Sequence, residues 1–236
     1  NKNPIKLVAS TTIAALIGAY AWMILIHIGV EIYEIKKFGS KVVGKSVSEQ
    51  MFNENTVLII FSYVVMEIIM LLIACLMVKK YKQDKLKLED IGMKLDNNSF
   101  KHIAYGFGTA LLMYVSIIVV TYAFGIISVP SYGFVNQSPL KAIGNVMLMF
   151  IVMAFPGFCE EILFRGVIQN YLMRKMNTQL SVLISSILFS LFHIGRYQDW
   201  NLLTIVMVAI VLGYIFSKTK SLYFSIGLHF AYDFSA

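Results

Sequence analysis

Long apolar runs limit what this chain can fold into more than any other feature of its sequence. Seven of them follow one another, and most approach the ~20 residues that an α-helix needs to cross the core of a bilayer. The 236-residue chain is 58% hydrophobic and 14% charged, whereas soluble domains are about 45–50% apolar and about 25% charged. We therefore predict an all-α, polytopic transmembrane helical bundle. Its predicted spans are residues 7–33, 56–78, 103–128, 141–176, 178–194, 202–216 and 221–236.

The segments between the spans are polar. Residues 34–55 are predicted to form a polar loop, and residues 79–102 a lysine-rich stretch that lies partly on the membrane surface. Residues 129–140 contain Pro130 and Pro139 and are predicted to form a turn-rich loop. These segments connect the spans without forming a soluble domain.

The fourth run is the longest, and it contains Pro156-Gly157 near its middle. Proline removes a backbone donor and clashes with the preceding helical turn, so this dipeptide predicts a kink or break. We expect one integral-membrane domain over residues 1–236. The residues that could carry chemistry lie in its second half, residues 141–236.

Basic residues indicate the orientation in the membrane. The net charge of +7 reflects lysines in the loops, as topology control requires, and does not indicate nucleic-acid binding. Most of these residues become cytoplasmic if the N-terminus is cytoplasmic, although residues 34–55, with four lysines, oppose this bias. The composition is rich in Lys, Ile and Asn, which favours a bacterial plasma membrane. We also expect the natural chain to continue at both ends, with an eighth helix after the seventh span.

Charges interrupt the apolar sequence at Phe158 to Arg165, which reads FCEEILFR. A charge at the bilayer centre costs about 2.5–3.5 kcal/mol on insertion scales, so such residues need partners or a water-filled cavity. Glu161 and Arg165 are four residues apart with the acid first, which favours a helical ion pair. Glu160 points about 100° away on a helix and is left less neutralised. It is a candidate general base, although the cluster could also be purely structural.

Two histidines and a further acid lie in later predicted spans. His193 follows Phe189 by four residues, and Asp233 follows His229 by four, so each pair can share one helix face. His193 could be a packing residue, and His229 could be oriented by the carboxylate of Asp233. Glu160, His193, His229 and Asp233 could instead bind a divalent metal such as zinc, although the sequence contains no HExxH motif.

Two kinds of nucleophile are also present. Cys159 precedes Glu160, and Ser185, Ser186 and Ser190 precede His193. Cysteine is common in apolar cores, and small hydroxyl residues are ordinary packing residues of membrane helices. We therefore interpret all four as structural.

Three motifs occur in order: Glu160-Glu161-Ile-Leu-Phe-Arg165, Phe189-Ser-Leu-Phe-His193 and His229-Phe-Ala-Tyr-Asp233. Together they resemble the EExxxR, FxxxH and Hxxx(N/D) motifs of the CAAX-protease and bacteriocin-processing (Abi) family of intramembrane proteases. The resemblance covers the chain from the fourth helix to the end. It implies an eight-helix bundle with a cavity open to water and to the bilayer, and peptide-bond hydrolysis in or beside the membrane.

The resemblance also implies roles for individual residues. Glu160 would be the base that activates water, assisted by His193, while Glu161 and Arg165 would support the site. His229 and the residue at position 233 would stabilise the oxyanion.

Position 233 is Asp in this chain, where the eukaryotic prenyl-protein enzymes of the family have Asn. An ionised Asp cannot donate a hydrogen bond to an oxyanion. Asp233 would therefore be protonated, orient His229 or help to hold a metal.

We therefore expect a membrane-embedded endopeptidase that acts on a membrane-associated peptide or protein, with the lipid bilayer as its other partner. Two alternatives come from other classes of protein. A non-catalytic scaffold or bacteriocin-immunity protein could keep the fold and bind a partner. A proton-coupled transporter could use the same charged residues as a proton relay.

Overall fold

The computed structural model describes residues 4–80, 88–128, 138–194 and 200–235, and every secondary-structure element in these ranges is helical. This confirms the all-α prediction. Residues 129–137 of the predicted turn-rich loop and residues 81–87 of the predicted lysine-rich stretch lie outside the described residues. The helices are α1 (Pro4–Phe38), α2 (Lys41–Glu54), α3 (Thr56–Lys80), a 3-10 helix (Leu88–Ile91), α4 (Ser99–Ala123), α5 (Pro139–Glu161), a π-helical segment (Ile162–Gln169), α6 (Asn170–Leu172), α7 (Thr178–Leu191), α8 (Trp200–Thr219) and α9 (Tyr223–Ser235).

Five stretches of helix in the described residues are long and apolar enough to cross a membrane, so the protein is a multi-pass membrane protein. They are Ile5–Phe38, Thr56–Leu76, Ser99–Ala123, Pro139–Leu172 and Trp200–Thr219. The predicted count of seven spans is not confirmed, because α7 has 14 residues and α9 has 13. At 1.5 Å per residue, helices of this length reach only about 20 Å, against a core of about 30 Å.

Residues 34–55 do not form the predicted loop. The first span continues to Phe38, and α2 follows after a break at Gly39, which has a φ of +66°. Ser40 then caps α2, since its Oγ accepts a hydrogen bond from the Val43 amide at 3.4 Å. The prediction failed because polar composition indicates contact with water, whereas this proline-free segment remains able to form a helix.

Pro156 does not break its helix either. Helix α5 runs through it to Glu161, and the backbone irregularity is the π segment that follows. Membrane helices tolerate proline where neighbouring groups satisfy the freed backbone. Gly157 instead allows close packing on α9, because a Cβ atom at this position would lie 3.0 Å from the Phe230 amide nitrogen.

The chain divides into two compact units, Asn1–Lys85 and Leu86–Ala236. The first unit contains α1, α2 and α3, and within it the Trp22 indole donates to the Ser62 carbonyl at 2.9 Å. The second unit contains every residue of the three motifs. A single domain over residues 1–236 stays a prediction.

Helices α4 and α9 of the second unit approach each other at two glycines. A Cβ atom on Gly106 would collide with the Phe224 carbonyl oxygen, and one on Gly227 would collide with the Ile103 carbonyl oxygen. Small residues let membrane helices approach to backbone contact. This contact holds α9, which carries His229 and Asp233, against the longer helix α4.

We predict that Gly106→Ala destabilises the protein by about 1–3 kcal/mol, the usual cost of overpacking. The unfolding midpoint of the detergent-solubilised protein measures this effect. Gly108→Ala is the matched control two residues away on the same helix, where the added Cβ would lie within 4 Å of no described atom beyond the local helix backbone. Equal midpoints for the two variants would contradict the close contact between α4 and α9.

Candidate active site

A cavity of about 380 Å³ lies within the second unit, between α5, α7, α8 and α9. It brings together residues from all three motifs, which are separated by up to about 70 positions in the chain. Its walls combine ionisable groups with apolar side chains. The lining residues are Met153, Pro156, Glu160, Phe189, His193, Asn201, Thr204, Ile205, Val208, Leu212, His229, Tyr232 and Asp233.

Glu161 and Arg165 lie behind this lining, fully buried, and form the predicted ion pair. Arg165 Nη1 is 2.8 Å from Glu161 Oε1, and the side chains are 1% and 0% exposed. Arg165 also donates from Nη2 to the Ala209 carbonyl of α8 at 3.2 Å, and its Cζ lies 4.7 Å from the centre of the Phe189 ring. The guanidinium therefore links the π segment to α5, α7 and α8.

His229 lies between the two glutamates. Its Nδ1 is 3.0 Å from Glu161 Oε1, and its Nε2 is 3.7 Å from Glu160 Oε2 and 3.5 Å from Asp233 Oδ2. Glu161 is paired with Arg165 as a carboxylate and can only accept, so Nδ1 is the donor in the short contact. Glu161 therefore orients the ring more closely than Asp233 does.

The two adjacent glutamates have different surroundings. One oxygen of Glu161 receives both Arg165 and His229. Glu160 lines the cavity with a relative exposure of 7%, and its Oε2 lies 3.7 Å from His229 Nε2, beyond hydrogen-bond distance. The Oε2 atom of each glutamate makes no hydrogen bond within the described residues. Glu160 is therefore the less compensated carboxylate, as the sequence predicted.

His193 reaches the cavity from the turn just after α7. Its Nδ1 lies 3.0 Å from the Phe189 carbonyl oxygen. A carbonyl only accepts, so Nδ1 donates, and in the neutral ring Nε2 is then an acceptor. The Phe189 ring contacts both imidazoles, with ring centres 4.8 Å from His193 and 5.6 Å from His229.

The π segment attaches this cluster to α8 through two side chains. Arg165 reaches the Ala209 carbonyl, and four residues later in each helix Gln169 Nε2 donates to the Gly213 carbonyl at 2.8 Å. Both side chains are fully buried. A π-helix widens the turn, and such segments are frequent at functional sites. No sequence pattern predicted this π-helical segment.

The serines of α7 serve packing. Ser185 donates to the Phe164 carbonyl of the π segment at 3.0 Å, and Ser190 donates to the Leu202 carbonyl at 3.1 Å. Ser186 donates to Val182 in its own helix. Cys159 is buried and does not belong to the cavity lining. This arrangement agrees with their interpretation as structural residues.

Among the described residues, no group of three or more His, Cys, Asp or Glu side chains is arranged to hold a metal ion. The four residues predicted as a possible ligand set do line one cavity. A metal role for them remains a prediction that requires a direct test.

Three polar residues of the cavity were not predicted: Asn201, Thr204 and Tyr232. Thr204 donates to the Trp200 carbonyl at 3.2 Å. Asn201 is exposed where it lines the cavity. Asn201 and Thr204 lie in the first turns of α8, and no motif marks them in the sequence, so only the packing of α8 against α7 and α9 reveals them.

Fold and cavity together define a multi-pass helical membrane protein with a buried glutamate–histidine–arginine cluster. The model of a protein family, described as Type II CAAX prenyl endopeptidase Rce1-like, matches residues 142–235. This range contains all three motifs and confirms the predicted resemblance to the CAAX-protease family. No curated protein and no solved structure gives a significant match to this chain.

We predict different effects of two adjacent substitutions on stability. Glu161→Gln leaves Arg165 buried without its carboxylate and should cost about 3–5 kcal/mol, as breaking a buried pair does. Glu160→Gln removes a carboxylate that has no such partner and should leave the unfolding midpoint in detergent nearly unchanged. A larger loss from Glu160→Gln than from Glu161→Gln would contradict this division between the two residues.

Proposed function

We propose that the protein is a membrane-embedded endopeptidase that hydrolyses a peptide bond of a membrane-associated peptide or protein, with a water molecule activated by Glu160. The main support is the contrast between the two glutamates. Glu161 is paired at one oxygen with Arg165 and His229, whereas Glu160 lines the cavity and lies 3.7 Å from His229 Nε2.

In this mechanism Glu160 takes a proton from water, and the resulting hydroxide attacks the peptide carbonyl carbon. The acceptor Nε2 of His193 helps to hold the water in the same cavity. The protonated Glu160 then donates its proton to the departing amine as the carbon–nitrogen bond breaks. No covalent intermediate forms, so neither Cys159 nor the serines of α7 are required.

The tetrahedral oxyanion needs donors that are already in place, since preorganised donors in a dry site stabilise developing charge strongly. Arg165 is unsuited, because it does not line the cavity and its guanidinium contacts Glu161 and the Ala209 carbonyl instead. His229 Nε2 faces the cavity beside Asp233. We assign the stabilisation of the oxyanion to two donors, protonated His229 and the neutral amide of Asn201. The Asp233 carboxylate stabilises the positive charge of the imidazolium.

The substrate that fits this proposal is a peptide already at the membrane. The bacterial character of the composition favours the precursor of a bacteriocin or of a signalling peptide, or a membrane protein, over a prenylated CAAX protein. The distribution of basic residues favours a cytoplasmic N-terminus in the plasma membrane.

The test compares peptides released from membranes that contain wild-type protein, Glu160→Gln or the control Glu49→Gln, by mass spectrometry. Glu49 is an exposed residue of α2. Products should appear with wild type and Glu49→Gln and vanish with Glu160→Gln. Loss of products with a chelator, and recovery with added zinc, would assign Glu160, His193, His229 and Asp233 to metal binding.

Identical peptide profiles for folded, equally abundant wild type and Glu160→Gln would count against catalysis. The two rival functions then make different predictions. A proton-coupled transporter would lose flux in Glu160→Gln, whereas a scaffold or immunity protein would still capture its partner.

A second prediction concerns Asn201. Removing one oxyanion donor usually lowers kcat by about 10²–10³, so Asn201→Ala should lower kcat to this extent with little change in KM. Thr204→Ala is the matched control, because the Thr204 hydroxyl is already engaged with Trp200. Equal losses in the two variants, or a change confined to KM, would contradict the oxyanion role.

A further inference from the structure

A second and larger cavity lies away from the glutamates, as a groove of about 660 Å³ between α7 and α8. Its volume lies within the ~300–1,000 Å³ of ordinary ligand clefts. Most of its wall is apolar, and its polar residues lie where α7 begins and α8 ends. The lining residues are Thr178, Gln179, Val182, Leu183, Ile210, Val211, Tyr214, Ile215, Ser217 and Lys218.

A basic side chain, that of Lys218, lies at the polar end of this groove. Lys218 Nζ lies 5.3 Å from the centre of the Tyr214 ring, and both residues belong to the lining. The neighbouring loops bring further basic residues to this end. Lys220 Nζ lies 3.7 Å from Met173 Sδ, next in sequence to Arg174 and Lys175.

The basic residues at this end lie in parts of the chain that contain no acidic residue. They are Arg174, Lys175, Lys218 and Lys220. Residues 170–183 and 205–222 contain no Asp or Glu. None of the four forms an ion pair within the described residues. Asp90 approaches this region from the 3-10 helix, where its backbone carbonyl accepts from Asn170 Nδ2 at 2.6 Å. The same 3-10 helix carries the acidic residues Glu89 and Asp90. Four basic residues against these two acidic ones leave this end of the groove with a net positive charge.

We propose that this groove binds an anionic glycerophospholipid, with an acyl chain along the apolar wall and the phosphate at Lys218. Helix α8 is long and apolar enough to span the membrane, and Val211 and Tyr214 are exposed on it. Basic pockets between membrane helices on the cytoplasmic side bind anionic headgroups. The basic end is cytoplasmic in the orientation that the lysines favour. An acidic peptide would match the charge but not the apolar groove.

The experiment is native mass spectrometry of the whole protein in detergent with phosphatidylglycerol or phosphatidylcholine added. Wild type should retain phosphatidylglycerol preferentially. One surface lysine is worth about fivefold in affinity for an anionic membrane surface, so Lys218→Gln/Lys220→Gln should lose about 25-fold. Lys141→Gln, a single-charge control at the start of α5, should bind as wild type does. Val211→Trp should fill the groove and reduce retention of both lipids.

Competition distinguishes a lipid site from a site for small anions or for peptides. Glycerol phosphate, which has the headgroup charge without the chains, should not compete. Competition by glycerol phosphate, an equal loss in Lys141→Gln, or unchanged retention in Val211→Trp would each overturn the proposal. So would tighter binding of an acidic peptide than of phosphatidylglycerol at this groove. The readout is binding, so the result does not depend on whether Glu160 catalyses hydrolysis.

Discussion

The Glu161 carboxylate accepts two charged or polar partners at one oxygen, the Arg165 guanidinium at 2.8 Å and His229 Nδ1 at 3.0 Å. Neither Glu161 nor Arg165 is exposed to solvent by more than 1%, so each would be costly to bury without the other. Because the partners lie on the π segment and on α9, this one oxygen holds α5 and α9 together at the cavity. It also leaves the adjacent Glu160 facing the cavity without a comparable partner.

The proposed hydrolysis requires water at this site, and a short helix next to the cavity is compatible with that requirement. Helix α7 ends at Leu191, and the next turn places His193 in the cavity wall. Irregular backbone at membrane depth is tolerated where it is buried in protein or lines a wet cavity. The same shortness is the reason why the predicted count of seven spans is not confirmed, because the apolar run of residues 178–194 includes this turn.

The sequence predicted well where the relevant contacts lie within one helix. The Glu161–Arg165 pair and the shared orientation of His229 and Asp233 follow from four-residue spacing, and the structure confirms both. It did not predict the contact between Glu161 and His229, because that contact depends on how closely α5 and α9 approach, which the backbone around Gly157 determines. Asn201 was missed for the same reason, since its place in the cavity depends on the packing of α8.

The attachment of α8 has one more consequence. On α8, Arg165 and Gln169 donate hydrogen bonds to the backbone carbonyls of Ala209 and Gly213. These bonds do not depend on the side chains of α8. This attachment requires glycine at position 213, because a Cβ atom there would lie 2.7 Å from Gln169 Oε1. Residues of α8 that line the cavity outside this attachment, such as Ile205, can therefore change during evolution while the helix keeps its register. A lineage could alter the shape of this wall, and with it the molecules that fit, without disturbing the charged cluster behind it.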